Sequence, residues 1–229
     1  MAELPAIPWE KVGPEHRLDY GRAFMLIDLN RCTGCHSCSV SCKTEHEVPL
    51  GDFRMRVRYL ERPDKPTIAF LPMICMQCQD APCLKACPTE AIGKLDDGRV
   101  VIDDEKCCGN KACVSACPYG AIFINEESNK AEKCDFCTHR TEIGLDPACV
   151  SSCPTDAIRF GDIENSDDPV TMAAKAGNAE AFKEDAATLP SVLYVGHEPW
   201  MELKSNLGVQ LSPKDEDVIY EQNNLSTKV

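Results

Sequence analysis

The chain has 229 residues, enough for one or two compact domains, and its 43% hydrophobic content is ordinary for a folded chain in water. Its 37 Asp and Glu against 24 Lys and Arg give a formal charge of minus 13, which removes the electrostatic attraction on which nucleic-acid binding depends. No run of 18 apolar residues occurs, and the opening MAELPAIPWEKVGPEHRLDYG has neither a basic n-region nor an apolar h-region, so neither a membrane span nor an export signal of its own is expected. Residues 1–20 contain three prolines and little periodicity and read as an extended N-terminal arm.

Next come a candidate strand, Ala23 to Asp28, and the first of four cysteine groups, Cys32, Cys35, Cys38 and Cys42. Arg54, Arg56 and Arg58 then alternate with Met55, Val57 and Tyr59, the pattern of a strand with one basic face, read as solvated in preference to docking an acidic partner. A candidate strand at Ala69 to Leu71 leads into Cys75, Cys78, Cys83 and Cys87, and another at Val100 to Ile102 into Cys107, Cys108, Cys113 and Cys117. Cys134, Cys137, Cys149 and Cys153 form the last group. Three groups close on one phrase, CPTEAI from Cys87, CPYGAI from Cys117 and CPTDAI from Cys153, which reads as a short helix stopped by proline and a turn into a strand. Strand, cysteine loop, short helix and strand is therefore an internal repeat. Beyond it, Pro169 to about Ala187 predicts an alanine-rich helix with Asp167 or Asp168 as cap. Ser191 to Val195 is a candidate strand, and the last thirty or so residues read as a second arm, either wrapping a partner or disordered.

The spacing carries the chemistry. In C-x2-C-x2-C one tight loop turns three thiolates onto neighbouring corners of a small body, and a cysteine three residues on lies in the following helix turn, aimed elsewhere; in two-cluster ferredoxins it serves the other cluster. The first group, RCTGCHSCSVSC, has this spacing, but Lys43 stands where the other groups have proline. The second lengthens the middle gap to four residues and the fourth to eleven, both leaving C-x3-C-P intact. Zinc sites also use C-x2-C pairs, but have no use for a third cysteine or for three C-x3-C-P closures. Disulfide frameworks belong mostly to small secreted chains.

The third group, KCCGNKACVSACP, is irregular. With Cys107, Cys113 and Cys117 in register, Asn110 occupies the second ligand position and Cys108 is spare; in the four-residue-gap register, Cys108 matches and the first ligand is displaced to Cys107. Either a three-iron cluster results, or a four-iron cluster in which Cys107 and Cys108 both bind. The second is preferred, because a thiolate is a better iron ligand than a carboxamide.

Other polar residues carry weaker signals. His36 inside the first loop and His139 after Cys137 could tune a potential or couple a proton, although a surface position is the simpler reading. Lys43 could raise a potential by its charge or be solvated. No Rieske-type C-x-H pair, phosphate loop or catalytic constellation is present, so no catalytic residue is assigned.

These four motifs, with the long gap in the last and the stretch CTHRTEIGLDPACVSSCPTDAIRFGDIE, resemble the four-cluster electron-transfer subunits of molybdopterin oxidoreductases of the dimethyl sulfoxide reductase type, over roughly residues 20 to 163. CKTEHEVPLGDF is closer to the subunits of polysulfide, thiosulfate, tetrathionate, sulfite and arsenic enzymes than to those of formate dehydrogenase. The resemblance implies an α+β fold of two ferredoxin-like modules related by a pseudo-twofold repeat. Residues 21–65 with 128–163 form the outer module, 66–127 the inner one, and 164–229 a helix, a possible strand and the C-terminal arm. It implies four iron–sulfur clusters: Cys32, Cys35 and Cys38 with Cys153; Cys75, Cys78 and Cys83 with Cys117; Cys107 and Cys113, with Cys108, joined by Cys87; and Cys134, Cys137 and Cys149 with Cys42. Three would be [4Fe-4S] and the irregular one [4Fe-4S] in preference to [3Fe-4S]. The implied role is one-electron relay between a molybdenum or tungsten bis-pterin catalytic subunit and an integral-membrane quinone-reactive subunit, in sulfur- or arsenic-compound metabolism. The chain would be membrane-associated through those partners, on the cytoplasmic or the periplasmic side. The alternatives are the iron–sulfur subunit of a hydrogenase or formate dehydrogenase complex, and a free soluble multi-cluster ferredoxin.

Overall fold

The computed structural model of the chain describes residues 21–61 and 68–206. The N-terminal arm expected over 1–20 lies outside these residues, as does the C-terminal arm beyond 206.

Strand β1 (Ala23–Asp28) is a continuous apolar run with Ala23 to Ile27 all buried, as a strand covered on both faces must be. Phe24, Met25 and Ile27 are fully buried, each worth about 1.5–3 kcal/mol of transfer free energy. After the first cysteine loop comes helix α1 (Ser37–Glu45), whose nine residues make it the longest of the helices that carry cysteines. With Lys43 in place of a proline, nothing stops the helix at Cys42. The alternating arginine segment forms β2 (Arg56–Glu61), paired antiparallel with β3 (Ile68–Met73).

The repeat is visible in the short elements that follow. Helix α2 (Pro82–Ala86) ends at Cys87-Pro88 and leads to β4 (Ile92–Lys94), which pairs with β5 (Val100–Ile102). Helix α3 (Ala112–Ala116) ends at Cys117-Pro118 and leads to β6 (Phe123–Asn125), paired with β7 (Lys130–Glu132). The eleven-residue gap of the fourth group is taken up by α4 (Thr138–Thr141), and α5 (Ala148–Ser151) then runs to Cys153-Pro154 and β8 (Ile158–Asp162). Helix α1 packs on α5, and α2 on α3.

Helix α6 (Pro169–Ala176) is capped by Asp168, whose carboxylate accepts from Val170 N at 2.7 Å and Thr171 N at 3.2 Å. It stops eleven residues short of the expected end near Ala187. Gly177 and Asn178 end it, Asn178 with a φ of 48°, and the Gly177 and Ala179 N–H groups cap Ala173 O and Ala174 O. A Cβ on Gly177 would sit 2.6 Å from Val195, so the helix end packs tightly on the neighbouring strand. The chain continues through β9 (Glu180–Ala181) and a 3-10 turn (Glu184–Ala186) to β10 (Val192–Val195). Residues Pro199–Asn206 form a helix, α7, where the sequence predicts the start of an extended arm. The four-stranded sheet has the order β8-β1-β10-β9, with β10 parallel and β8 antiparallel to β1. No helix of the described residues is long and apolar enough to cross a membrane.

Candidate metal centres

Two backbone devices recur around the cysteines. The second residue after the first cysteine of each group is in the left-handed region: Gly34 (φ 68°), Gln77 (φ 47°), Gly109 (φ 68°) and Phe136 (φ 59°). This turn curls each loop inward. At Gly34 an added Cβ would lie 2.4 Å from the Phe70 ring, and at Gly109 2.2 Å from Asn129 O, so both loops approach a neighbour closely. The second device is the turn after each C-P, with Glu90 (φ 52°), Gly120 (φ 57°) and Asp156 (φ 50°) at equivalent positions. It aims the next N–H back at sulfur, Ala121 N reaching Cys117 Sγ at 3.5 Å and Ala157 N reaching Cys153 Sγ at 3.2 Å.

Gly109 fixes the register of the irregular group. Its left-handed position matches that of Gly34 only if Cys107 is the first residue of the motif, which places Asn110 at the second ligand position. Asn110 Oδ1 accepts from Ala112 N at 3.1 Å. Cys107 is buried and receives Ala131 N at 3.4 Å, whereas Cys108 is exposed.

All sixteen cysteines are free thiols. One cavity is lined by Cys75, Cys78, Cys83 and Cys117 with Met76 and Tyr119 around them, and another by Cys87, Cys107, Cys108 and Cys113 with Asn110 beside them. The other two sets are recognised by mutual electrostatics. Burial and then the Cys137 thiol push Cys42 up to about 12. Burial raises Cys134 and Cys149 well above the ordinary thiol value, and Cys42 lies near both. Burial raises Cys32, with Cys153 and Cys35 adding to it, and pushes Cys38 up to about 11 beside Cys32 and Cys153. Each set thus combines thiols of one loop with a thiol of another group. Among the described residues no three His, Cys, Asp or Glu side chains converge closely enough to hold a single metal ion. Thiols that surround a cavity without meeting at a point fit a polynuclear iron–sulfur body, for which soft thiolates are the natural donors.

The neighbouring lysine and arginine side chains differ from expectation. Lys43 is neither solvated nor directed at a thiol: Nζ donates to Pro49 O at 2.8 Å and Asp52 O at 2.7 Å and lies 4.4 Å from the Phe53 ring centroid, pinning that loop. Arg54 lies before β2 and is not on a solvated basic face. Its Nε and Nη2 donate to Glu132 Oε2 at 3.2 and 3.0 Å, and its Nη1 donates to His46 Nδ1 at 3.0 Å. Arg56 donates to Gly120 O at 3.1 Å. The two histidines stay towards the surface, half-buried His36 meeting the Tyr59 hydroxyl at 2.8 Å and exposed His139 meeting Glu45 at 2.7 Å.

Among the described residues the imidazole that does touch a thiol is His46, its Nε2 lying 3.2 Å from Cys137 Sγ with the side chain only 8% exposed. Burial, followed by the Arg54 charge, lowers its pKa. The sequence holds one clue to it. With no proline after Cys42, α1 continues, and a residue four positions on returns to the face of Cys42. Buried Lys133 donates to Val100 O and, at 3.1 Å, to Cys134 O, and its charge favours the Cys83 thiolate, which burial pushes up to about 12.

Comparison with known proteins agrees with the chemistry of these donors. The family model of the 4Fe-4S dicluster domain matches residues 66–163. The chain is 42% identical over 202 residues to a tetrathionate reductase subunit of Salmonella typhimurium, covering 85% of this chain and 79% of that one. It is 36% identical to the thiosulfate reductase electron transfer subunit of Salmonella typhi, over 79% and 95% of the two chains. It is 30% identical to the arsenate respiratory reductase iron–sulfur subunit of a Shewanella species, over 76% and 96%.

Proposed function

Because the chain belongs to the iron–sulfur subunits of the dimethyl sulfoxide reductase family, we propose that it relays single electrons through four clusters between a molybdopterin catalytic subunit and a membrane quinone-reactive subunit. The names of its relatives point to the reduction or oxidation of sulfur or arsenic compounds as the metabolism served. The observation that carries this reading is the gathering of the sixteen thiols into four sets, each built from one loop and a cysteine of another group.

Bound clusters supply one-electron redox centres. The chain's own residues hold and isolate them: Cys32, Cys35, Cys38 and Cys153; Cys75, Cys78, Cys83 and Cys117; Cys87, Cys107, Cys108 and Cys113; Cys42, Cys134, Cys137 and Cys149. Burial keeps water from most of the sulfurs, and backbone N–H groups such as those of Ala121, Ala131 and Ala157 donate to them. The packing of α1 on α5 and of α2 on α3 supports two modules related by a pseudo-twofold repeat. In that arrangement the set of Cys42 lies beside that of Cys38, and Gln77 links the loop of Cys78 to that of Cys134. The electron path then runs from the Cys32 set through the Cys42 and Cys75 sets to the Cys107 set. For the irregular set we favour [4Fe-4S], because Cys108 lines the same cavity as Cys107, Cys113 and Cys87 while the Asn110 oxygen is engaged by Ala112 N.

Iron analysis and electron paramagnetic resonance of the chain, purified from native membranes, test this. Four distinguishable clusters and co-purification with a large pterin-containing subunit are expected. Recovery without that subunit would overturn the relay reading in favour of a free carrier, and Cys137→Ser with undiminished iron would overturn the ligand assignment.

A further inference from the structure

Two imidazole nitrogens and one guanidinium fix the position of a proton next to Cys137. A guanidinium can only donate hydrogen bonds, so at 3.0 Å from Arg54 Nη1 the His46 Nδ1 must be the acceptor and carry no hydrogen. The ring N–H is therefore on Nε2, which faces Cys137 Sγ at 3.2 Å. Arg54 cannot swing away cheaply, because Glu132 Oε2 holds both its Nε and its Nη2, and Glu132 Oε1 is in turn held by Asn125 Nδ2 at 2.6 Å. The other acceptor near Nε2 is Asp135 Oδ1, 3.9 Å away and already accepting from Cys137 N at 2.9 Å. The sulfur is the nearer acceptor.

We propose that His46, oriented by Arg54, donates its Nε2–H to the Cys137 thiolate and so raises the reduction potential of the cluster held by Cys42, Cys134, Cys137 and Cys149. This rests on the ligand assignment given above. A cluster gains a negative charge on reduction, so a hydrogen bond to one of its sulfurs is stronger in the reduced form and stabilises it. In a buried setting that difference is screened less than it would be in water. The Arg54 cation works in the same direction, since it favours the Cys42 thiolate of the same set. Among the described residues no other imidazole faces a sulfur: His36 meets Tyr59, His139 meets Glu45, and His197 faces Glu202 at 3.4 Å. The effect is therefore confined to one cluster of four. His46 acts through Cys137 and is a positioning residue, not a catalytic one.

Potentiometric titration of the full chain in its complex, followed by electron paramagnetic resonance, tests this, with iron content measured on the same samples. His46→Phe keeps a ring but no donor, and is expected to lower one midpoint potential, leave the other three in place and retain full iron. His46→Gln keeps an N–H at a similar reach and is expected to recover most of the shift, which a space-filling role would not predict. Unmoved midpoints in His46→Phe, or an equal shift of all four, overturn the proposal. Should His46→Phe lose iron, His46→Leu takes its place: one lowered midpoint that His46→Gln recovers supports the proposal, and unchanged midpoints overturn it. Cys137→Ser separates the hydrogen bond from the ligand set. Loss of one cluster there with no shift in His46→Phe defeats the hydrogen-bond role alone, while undiminished iron in Cys137→Ser defeats the ligand assignment.

Discussion

Gln77 donates its side-chain amide to the carbonyl oxygen of Cys134 at 2.5 Å, and its own oxygen accepts from Val100 N at 2.6 Å. It is fully buried and lies inside the second cysteine loop, so one amide fastens that loop to the fourth. Gln77→Leu nearly preserves the volume but strands a buried carbonyl and a buried N–H. Each costs about 1–3 kcal/mol, so a loss of roughly 2–6 kcal/mol is expected, read as a lowered midpoint of thermal unfolding of the iron-loaded chain. An unchanged midpoint would show that the bridge is dispensable.

The irregular group is expected to respond unequally to its two adjacent thiols. Cys107→Ser should abolish its cluster, since Cys107 is buried and in register. Cys108→Ser should leave a three-iron signal in the oxidised protein. Asn110→Cys, placing a thiolate at the regular position, should restore the four-iron form to Cys108→Ser. A three-iron signal in the unaltered protein would instead mean that Cys108 does not bind.

Lys133 is buried between the Val100 and Cys134 carbonyls and acts on the Cys83 thiolate, so its charge bears on the set of Cys75, Cys78, Cys83 and Cys117. Lys133→Met is expected to lower the midpoint of that cluster by on the order of 60 mV, equivalent to about 1.4 kcal/mol for one electron. Lys133→Arg should recover much of this. Titration of both variants checks it, and a shift confined to thermal stability would assign the lysine to packing.

Tyr194 offers a control outside the thiol sets. Its hydroxyl is fully buried and donates to Pro72 O at 2.9 Å, and burial raises its pKa far above the ordinary phenol value. Tyr194→Phe is expected to cost about 1–2 kcal/mol in thermal or denaturant unfolding while leaving every cluster signal in place.

The cysteine spacing and the C-P phrases make the repeat legible in the sequence, and β1, β5 and β10 stand where apolar and β-branched runs put them. The end of α6 is less visible, because alanine content masks the Gly177-Asn178 stop, whose force lies in the carbonyls those residues cap. The role of Arg54 is hidden because alternation in β2 says nothing about a partner 78 positions away, Glu132. Gln77 and Lys133 escape a sequence reading for the same reason, and His46 leaves only the clue of the missing proline after Cys42. Their roles come from loops that meet only when the chain is folded, and local spacing records the ligands but not what donates to them.

The left-handed turn at Gly109 keeps the irregular loop on the same path as its three counterparts although Asn110 stands where they have a second cysteine. Backbone shape and metal chemistry are thus separable in this scaffold. On the ligand set proposed above, a single codon at position 108 or 110 would change which iron species is installed without asking the surrounding chain to refold, so each loop would act as an interchangeable socket in which redox properties can be adjusted one station at a time.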